Sequence, residues 1–571
     1  MPLLAYGSWQ PDTSDYEKPD QAFNVKNVLP RGDGYGPIQD ITADTLALPA
    51  PCRGHFYALK NDGTVAVFAA TSDRLYLMNN STFDWIPVSK PQTLTSISNA
   101  SPAVVTLSGH GYAIGDRIVF STTGTLPTGL TAGTTYFIIS AGFTSSAFEV
   151  SLTSGGAAIN TSSAGSGTHS ATGIYTPVDS ASQWQFAQTG NLVWATQKNA
   201  PLQVFDLTAA APNFVNGAGS PPQAAYIAVV GQFLVLSGLA SPYQYRIVWS
   251  GLGSFNASNS WTAGVNSSDF QDFTDGGLVR GVAGGEYGVV FQDQAIRRMS
   301  YVPGSDVIFQ IERLSQDKGL LAPLSIVRAG ENIFFYSSQG FNRIQPGGNP
   351  EQIGRERVDR TFLADVDQTN LQLLIGASDP RTSRVYWAYK SQSGQAGLFD
   401  KVLGYDYALD KWFNFVCSGQ FIAGMSQPGI TEENIPFPNI DLMTLSLDAY
   451  PTSVQPEISV FNASGKLGYF RGKNLEATLE TSEQGTDGQR MFVRGFRPIT
   501  DSATVYGAVS YRQNQQQAAT YKPETLVNPR TGKCDARIET RYSRIKSRIP
   551  YGTSWTFIAG VEPDFRLTGK L

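Results

Sequence analysis

The stretch GGLVRGVAGGEYGVVFQDQAIRRM (residues 276–299) has five glycines in its first ten residues, then an apolar run and two arginines. A phosphate-binding loop needs glycines that lead into a helix N-terminus, where backbone N–H groups converge on the anion. Gly284 and Gly285 lead instead into YGVVFQDQ, which is rich in β-branched and aromatic residues and has no helical spacing. The stretch therefore predicts a tight turn between two β-strands.

The same order of turn, apolar strand, turn and second apolar strand recurs along the chain. Six sibling segments follow this pattern, mostly at intervals of about 40 to 55 residues: 62–78, 190–205, 231–249, 330–344, 383–407 and 457–470. A period of this size built from short antiparallel strands is typical of β-propeller blades, each of which is a four-stranded meander. We predict an all-β chain containing a β-propeller of six to eight blades, with seven favoured.

Interruptions of this rhythm predict the domain boundaries. Residues 1–50 are rich in Pro, Asp and Gly, which predicts an extended N-terminal arm packed on the C-terminal domain. Residues 51–91 and 174–475 are assigned to the propeller, and the Ser/Thr/Gly-rich residues 92–173 to a small inserted β domain. Residues 476–571 lose the propeller rhythm but alternate apolar and polar residues, which predicts a β platform domain.

The composition favours short strands over long helices, with 57 Gly, 32 Pro, 12% aromatic and only 16% charged residues. The N-terminus has no basic segment followed by an apolar core, so we expect no signal peptide, and no apolar run is long enough to span a membrane. Three widely separated cysteines, Cys52, Cys417 and Cys534, predict buried reduced thiols in a protein made in a cytosol.

Charge is distributed unevenly along the chain. The formal net charge is −5, yet residues 490–548 hold twelve Lys or Arg against four Asp or Glu, which leaves the rest near −13. Such a basic stretch can face phosphate, or it can pair with acidic residues of a neighbouring domain or subunit, and both interpretations are open. The candidate residues that face DNA or a protein partner are Arg494, Arg497, Arg512, Arg537, Arg541, Arg544, Lys546 and Arg548.

Residue patterns that bind metals or act in catalysis are scarce in this sequence. Only His55, His110 and His169 are present, without C-x-x-C or H-E-x-x-H spacing, so we expect no metal site and no cofactor. DVDQTN (365–370) begins like a calcium loop but lacks its central Gly and terminal Glu, which favours a turn or capping role. No G-x-S-x-G elbow occurs, and we predict no enzymatic activity, although paired carboxylates are invisible in a sequence.

Strand aromatics and strand arginines each have two interpretations. The tryptophans of the repeated segments favour packing between blades, with a carbohydrate-stacking platform as the alternative: Trp184, Trp194, Trp249, Trp387 and Trp412. Arg297 and Arg298 end a strand and are candidates for a blade edge or a contact between subunits.

Several segments resemble the tail hub or nozzle proteins of short-tailed bacteriophages, also known as DNA-stabilising tail proteins. They are NVKNVLPRGDGYGPI (24–38), YRIVWSGLGSFNAS (245–258), DFQDFTDGG (269–277), VFQDQAIRRMSYV (290–302), GLLAPLSIVRAGENIFFYSSQGFNRI (319–344) and IGRERVDRTF (353–362). The insert, with HGYAIGD (110–116), LPTGLTAGTTYFI (126–138) and FEVSLTSGG (148–156), is similar to a β module of phage tail proteins. The resemblance covers nearly the whole chain, but the last hundred residues share the general sequence character of the family rather than particular motifs.

This resemblance implies a structural virion protein in the phage tail, assembled in the host cytoplasm. It implies a hexameric ring below the portal and its adaptor ring, with tailspikes or fibres as further partners. Genome DNA would be retained by the ring and pass through its channel without sequence specificity. A net-acidic chain suits such a conduit, because many phosphate contacts would grip DNA tightly. The alternatives are a peripheral tail protein that binds the host surface and a propeller glycosidase.

Overall fold

The computed structural model describes residues 3–14, 20–89, 91–210, 212–305, 307–427, 455–485 and 489–570. The chain is all-β, with the four-stranded antiparallel meanders of β-propeller blades, so the predicted fold class is confirmed. The chain divides into two compact units, one of residues 1–45 with 320–571 and the other of residues 46–319. None of the helices in the described part of the chain has the length and apolar character needed to cross a membrane.

The first 45 residues contribute strands to the sheets of the first unit. These strands are β1 (Leu4–Ala5), β2 (Ala22–Lys26), β3 (Val28–Arg31), β4 (Gly34–Pro37) and β5 (Gln39–Ala43). All five pair antiparallel, and β1, β2, β4 and β5 do so with strands that come after residue 466. The N-terminal segment is therefore part of the sheets rather than a separate layer on them.

The second unit begins with one four-stranded sheet and the inserted segment. The sheet contains β6 (Gly54–Leu59), β7 (Val65–Ala70), β8 (Leu75–Met78) and β9 (Trp85–Pro87). The insert contains β10 (Pro91–Thr93), β11 (Ser96–Ile97), β12 (Val105–Thr106), β13 (Arg117–Thr122), β14 (Thr135–Ile138), β15 (Ala147–Phe148), β16 (Val150–Ser151) and β17 (His169–Ile174). These eight strands form a five-stranded and a three-stranded sheet around their own apolar cluster, which includes Phe120, Tyr136 and Phe148.

Three more four-stranded meanders complete this unit. They are β18 (Gln185–Thr189), β19 (Leu192–Gln197), β20 (Ala200–Asp206) and β21 (Val215–Asn216); β22 (Ala224–Val230), β23 (Phe233–Leu239), β24 (Arg246–Trp249) and β25 (Asp269–Asp272); and β26 (Val279–Ala283), β27 (Gly288–Gln292), β28 (Ile296–Tyr301) and β29 (Phe309–Ser315). Residues 276–299 thus form the predicted turn between two strands, β26 and β27, and a third antiparallel strand, β28, follows in the same sheet.

The glycine pair of that stretch lies where two sheets meet. Gly285 has a φ of +144° and forms a parallel bridge with Val230 of β22. A Cβ at Gly284 would lie 2.2 Å from the carbonyl oxygen of Val229, so only glycine allows this approach of the two backbones. The glycines serve the packing of neighbouring sheets.

The first unit resumes with another four-stranded meander and the helical segments. The meander contains β30 (Val327–Ala329), β31 (Asn332–Ser337), β32 (Gly340–Ile344) and β33 (Glu351–Gln352). The helical segments are α1 (Asp359–Asp365) and two 3-10 helices, Pro323–Ser325 and Gln368–Leu373. Asp367 accepts a hydrogen bond from the Thr369 backbone N–H at 3.0 Å and caps the second of these, so DVDQTN has the predicted capping role.

The next sheet has seven strands in the order β34-β35-β36-β37-β38-β39-β5. Its later members are β34 (Ile375–Ser378), β35 (Arg384–Tyr389), β36 (Phe399–Asp406), β37 (Lys411–Gln427), β38 (Gln455–Asn462) and β39 (Leu467–Asn474). The last two sibling segments, 383–407 and 457–470, therefore share one sheet. The described residues place the seven segments in six sheets, the lower end of the predicted six to eight blades.

The C-terminal strands form two further sheets with the N-terminal ones. They are β40 (Ala477–Thr481), β41 (Gln484–Gly485), β42 (Gln489–Thr500), β43 (Tyr506–Tyr511), β44 (Thr520–Tyr521), β45 (Thr525–Leu526), β46 (Cys534–Thr540), β47 (Tyr542–Ser543), β48 (Ile545–Ile549) and β49 (Ile558–Lys570). The sheets run β2-β40-β48-β43-β44 and β3-β4-β49-β42-β46, while β41 and β47 form a separate two-stranded sheet. Apolar residues from both ends of the chain, such as Val25, Tyr35, Leu479 and Val561, share one buried cluster.

Candidate interaction surfaces

Two arginines of the basic stretch lie on the exposed side of β42. Arg494 and Arg497 are both exposed although they are three residues apart, because a register shift between Val493 and Gly495 interrupts the alternation of the strand. Arg497 pairs with Glu562 of β49 at 3.2 Å and donates to the Thr531 carbonyl at 3.3 Å. An exposed pair of this kind contributes little stability, so Arg497 remains accessible to an anion.

The cations of β48 are paired within the C-terminal region. Arg548 contacts Glu524 at 2.7 Å and Glu476 at 2.9 Å, and Lys546 contacts Glu524 at 3.2 Å. The Arg548 guanidinium also lies 4.5 Å from the centre of the Tyr506 ring. Its hydrogen bond to Glu524, supported by Lys546, holds the pKa of that carboxyl below its usual value. The two cations of β48, Lys546 and Arg548, thus neutralise two carboxylates outside the strand, Glu476 and Glu524.

Arg512 and Arg544 are engaged by different partners. Arg512 forms an ion pair with the buried Glu483 and donates to the Gln515 carbonyl at 2.8 Å. The Arg544 guanidinium lies 3.5 Å from the centre of the Phe23 ring, a cation–π contact with strand β2. Both side chains help to hold the sheets of this unit together.

The remaining candidates are less constrained. The Arg537 side chain is 78% exposed, sits at a backbone φ of +49° and approaches Asp535 only to 4.0 Å. Arg541 is half-buried in the short connection between β46 and β47. Arg494, Arg497 and Arg537 are thus the exposed members of the eight basic residues, while Arg512, Lys546 and Arg548 neutralise carboxylates of the same region.

Sequence reasoning missed three of these carboxylates because they lie outside the basic window, whereas Glu524 lies inside it. Glu476 and Glu483 precede residue 490, and Glu562 follows residue 548. Of the two explanations for the basic stretch, pairing with acidic residues accounts for four of the eight candidate residues, and the acidic partners belong to the same unit rather than to a neighbouring one.

Arg297 and Arg298 point to different environments of the sheet β26–β29. Arg297 is 9% exposed, donates from Nε to Gln292 at 2.8 Å, pairs with Asp275 and lies 5.0 Å from the Phe273 ring centre. This network explains Arg297 without a neighbouring subunit. Arg298 is half-buried with its guanidinium 5.6 Å from the Tyr287 ring centre, and a subunit contact at this residue stays a prediction.

The three cysteines and His55, which are the side chains most suited to nucleophilic or acid–base chemistry, are buried. Burial raises the pKa of Cys52 and of Cys534 to about 12 and that of Cys417 further, so all three free thiols are protonated at neutral pH. Burial lowers the pKa of His55 to about 4, which keeps it neutral. Within the described ranges, no group of three or more His, Cys, Asp or Glu side chains could hold a metal ion.

The five strand tryptophans fill the cores of the sheets. Trp184, Trp194, Trp387 and Trp412 are among the largest fully buried side chains, and Trp249 is 4% exposed. A carbohydrate platform needs an open aromatic face, which none of these five residues presents.

Comparisons with known proteins give no close relative. No family model matches the chain, and no curated protein matches it. Among solved structures, the β-propeller domain of Cps50 (Swd1) from Myceliophteria thermophila is 9% identical and covers 61% of this chain and 96% of its own, with a TM-score of 0.27. The dihydro-heme d1 dehydrogenase NirN is 12% identical over 63% of this chain and 67% of its own, with a TM-score of 0.28.

The Synechocystis apocarotenoid oxygenase, as a Trp149Ala mutant, is 9% identical and covers 69% of this chain and 90% of its own, with a TM-score of 0.27. TM-scores this low do not establish a common arrangement of the sheets, and we draw no functional conclusion from them.

Proposed function

We propose that this chain is a structural component of a short-tailed phage virion, a tail hub or nozzle that forms a hexameric ring below the portal and adaptor. In this role it retains genome DNA and conducts it during ejection, and it performs no catalysis. The proposal rests on the sequence resemblance to that family. Its main structural support is the architecture: successive antiparallel meanders with short connections provide rigid wall material for a permanent tube.

The charge pattern of the C-terminal region supports a conduit rather than a DNA-gripping surface. Lys546, Arg548 and Arg512 neutralise carboxylates of their own chain, whereas Arg494 and Arg537 are exposed. Affinity for DNA grows with each phosphate that a cation neutralises, and it falls steeply with salt. Neutralisation of part of the basic stretch within the chain lowers the number of phosphate contacts that it can make, which is compatible with sliding DNA.

The first test is the assembly state of the purified chain. Mass photometry and negative-stain microscopy should show a six-fold ring of about 370 kDa, six times the 61.7 kDa chain, alone or on addition of portal complexes. A chain that stays monomeric in the presence of portal complexes contradicts the proposal.

The second test separates DNA conduction from DNA binding. Duplex DNA of unrelated sequences should bind the ring equally, with a dissociation constant weaker than about 10 µM at physiological salt. Arg494→Glu with Arg537→Glu should weaken genome retention in particles, or docking of the adaptor, without unfolding the chain, because both side chains are exposed. Reversing Arg548 is less informative, since it places three carboxyl groups together. Release of oligosaccharide from host polysaccharide would favour the glycosidase alternative.

A further inference from the structure

A cavity of about 360 Å³ lies within the first unit, between the N-terminal strand β2, helix α1 and the strands β35, β36 and β37. Its floor is apolar and buried, with Trp9, Phe362, Leu403 and Phe415. Its rim is polar. An apolar cavity of this size with a few convergent polar groups is the usual form of a small-molecule site.

One carboxylate on the rim is already neutralised. Both oxygens of Asp365 lie 2.8 Å from the Lys401 Nζ, and the Tyr389 hydroxyl donates to Asp365 Oδ2 at 2.8 Å. Burial and the neighbouring carboxylate raise the pKa of Tyr389, so its hydroxyl keeps its proton. Asp365 and Lys401 therefore add no net charge to the cavity.

Lys26 contributes the remaining charge. It is exposed at the end of β2, lines the same cavity, and forms no ion pair with any residue in the described ranges. Asn24 also lines the cavity, and its place two residues earlier on the strand puts it on the same side of the sheet as Lys26. The rim thus carries one uncompensated positive charge beside amide groups, above an apolar floor.

We propose that this cavity is a binding site for a small amphipathic anion. The anionic head, a carboxylate or a phosphate monoester, pairs with Lys26, and an aromatic or branched apolar body displaces water from the floor formed by Trp9 and Phe415. This site is independent of the proposed function of the chain. A solvated lysine above a water-filled crevice is the alternative, and it predicts no saturable binding.

The probe is 8-anilinonaphthalene-1-sulfonate, an aromatic anion whose fluorescence rises in apolar surroundings. The full-length protein should bind it saturably at one site per chain, and the affinity should fall with salt. Lys26→Gln should weaken binding about tenfold, the effect of losing one charge-assisted hydrogen bond. Lys522→Gln is the matched control, because Lys522 is an exposed lysine of the same unit and does not line the cavity.

A second variant tests the cavity without changing its charge. Val416 lines the cavity and is 43% exposed, so Val416→Trp should block the entrance while the far-ultraviolet circular dichroism of the fold is preserved. Competition by 2-naphthoate and by 2-naphthyl phosphate distinguishes the two head groups, and neutral 2-naphthol should compete poorly with the wild type. Equal affinities of wild type, Lys26→Gln and Val416→Trp would overturn the proposal, as would displacement by the neutral compound alone.

Discussion

Helix α1 is capped by a residue of the N-terminal segment, 348 residues earlier in the chain, and this contact yields a quantitative prediction. The local residue before the helix, Val358, provides no side-chain cap. Instead, Asp12 accepts hydrogen bonds from the Arg360 backbone N–H at 2.7 Å and from the Thr361 backbone N–H and hydroxyl at 2.9 and 2.7 Å. Asp12 is 9% exposed, so water competes poorly for these donors. Asp12→Ala should therefore release the first turn of the helix.

The size of the effect follows from what the substitution leaves behind. Removing a capping side chain costs about 0.5 to 2 kcal/mol, and donors left without an acceptor at a buried site add to that, so we expect a loss of about 3 kcal/mol. At 1.4 kcal/mol per factor of ten, amide hydrogen exchange at Arg360 and Thr361 should accelerate by about 100-fold. Asp12→Asn keeps one acceptor and loses the charge, so its effect should be about tenfold.

The assay is hydrogen–deuterium exchange followed on peptides that cover residues 358–366. Asp33→Ala is the control, because Asp33 lies in the same N-terminal segment, is exposed, and pairs only with Arg31 at 3.2 Å. Its effect on stability should stay within about 0.5 kcal/mol. If Asp12→Ala changed exchange of the helix no more than Asp33→Ala does, the N-terminal segment would not cap α1 and the reasoning would be refuted.

Three further outcomes are expected. Arg297→Ala should lower the free energy of unfolding by about 3 kcal/mol because it breaks a buried network, whereas Arg298→Ala should lower it by less than about 1 kcal/mol. Unfolding in guanidinium chloride measures both, and equal losses would contradict this prediction. Burial raises the pKa of Asp359 from 3.8 to about 6, so folding takes up a proton at pH values between these two. The free energy of unfolding should therefore fall as the pH rises from about 4 to 6. Asp359→Asn should flatten this pH dependence, and an unchanged slope would refute the assignment. Ellman's reagent should react with no cysteine of the native protein and with all three, Cys52, Cys417 and Cys534, after denaturation. Reaction of any of them before denaturation would contradict its burial.

Local patterns predicted the strands well because their causes are local. In residues 276–299, glycine turns and alternating β-branched residues specify β26, β27 and β28 without help from distant chain. The inserted segment is another such case, since its eight strands pair only with one another. In both, every strand pairs within a segment of fewer than about 100 residues, although β10 and β17, the first and last strands of the insert, are neighbours.

Sheet membership was harder to predict because it depends on distant pairing. The segments 383–407 and 457–470 both read as blades, yet β37 pairs with β38 and joins them in one sheet that β5 completes from the N-terminal end. A repeat count cannot distinguish a new sheet from an extended one, since both have the same alternation of turn and strand.

The candidate site shows the same limitation in its electrostatics. A sliding count finds eight net positive charges in residues 490–548, but ion pairs form between strands rather than along them. Arg512 meets Glu483 across 29 residues and Arg548 meets Glu476 across 72 residues. The uncompensated positive charge is therefore smaller than the sequence count, and only coordinates separate the paired cations, such as Arg512 and Arg548, from exposed ones such as Arg494 and Arg537.

The first unit of this protein is closed by the two ends of its chain. Strand β2 pairs with β40, and β1 and β4 pair with β49, so residues 4–37 and 477–570 build the same two sheets. Contacts between residues so far apart in sequence form late, because the entropy of closing the intervening loop must be offset first. The capping of α1 by Asp12 and the contact of Arg544 with Phe23 belong to the same closure. Val25 and Val28 are fully buried in a cluster that includes Leu479 and Val561, so the stability of this unit depends on the N-terminal segment as well as on the C-terminal sheets.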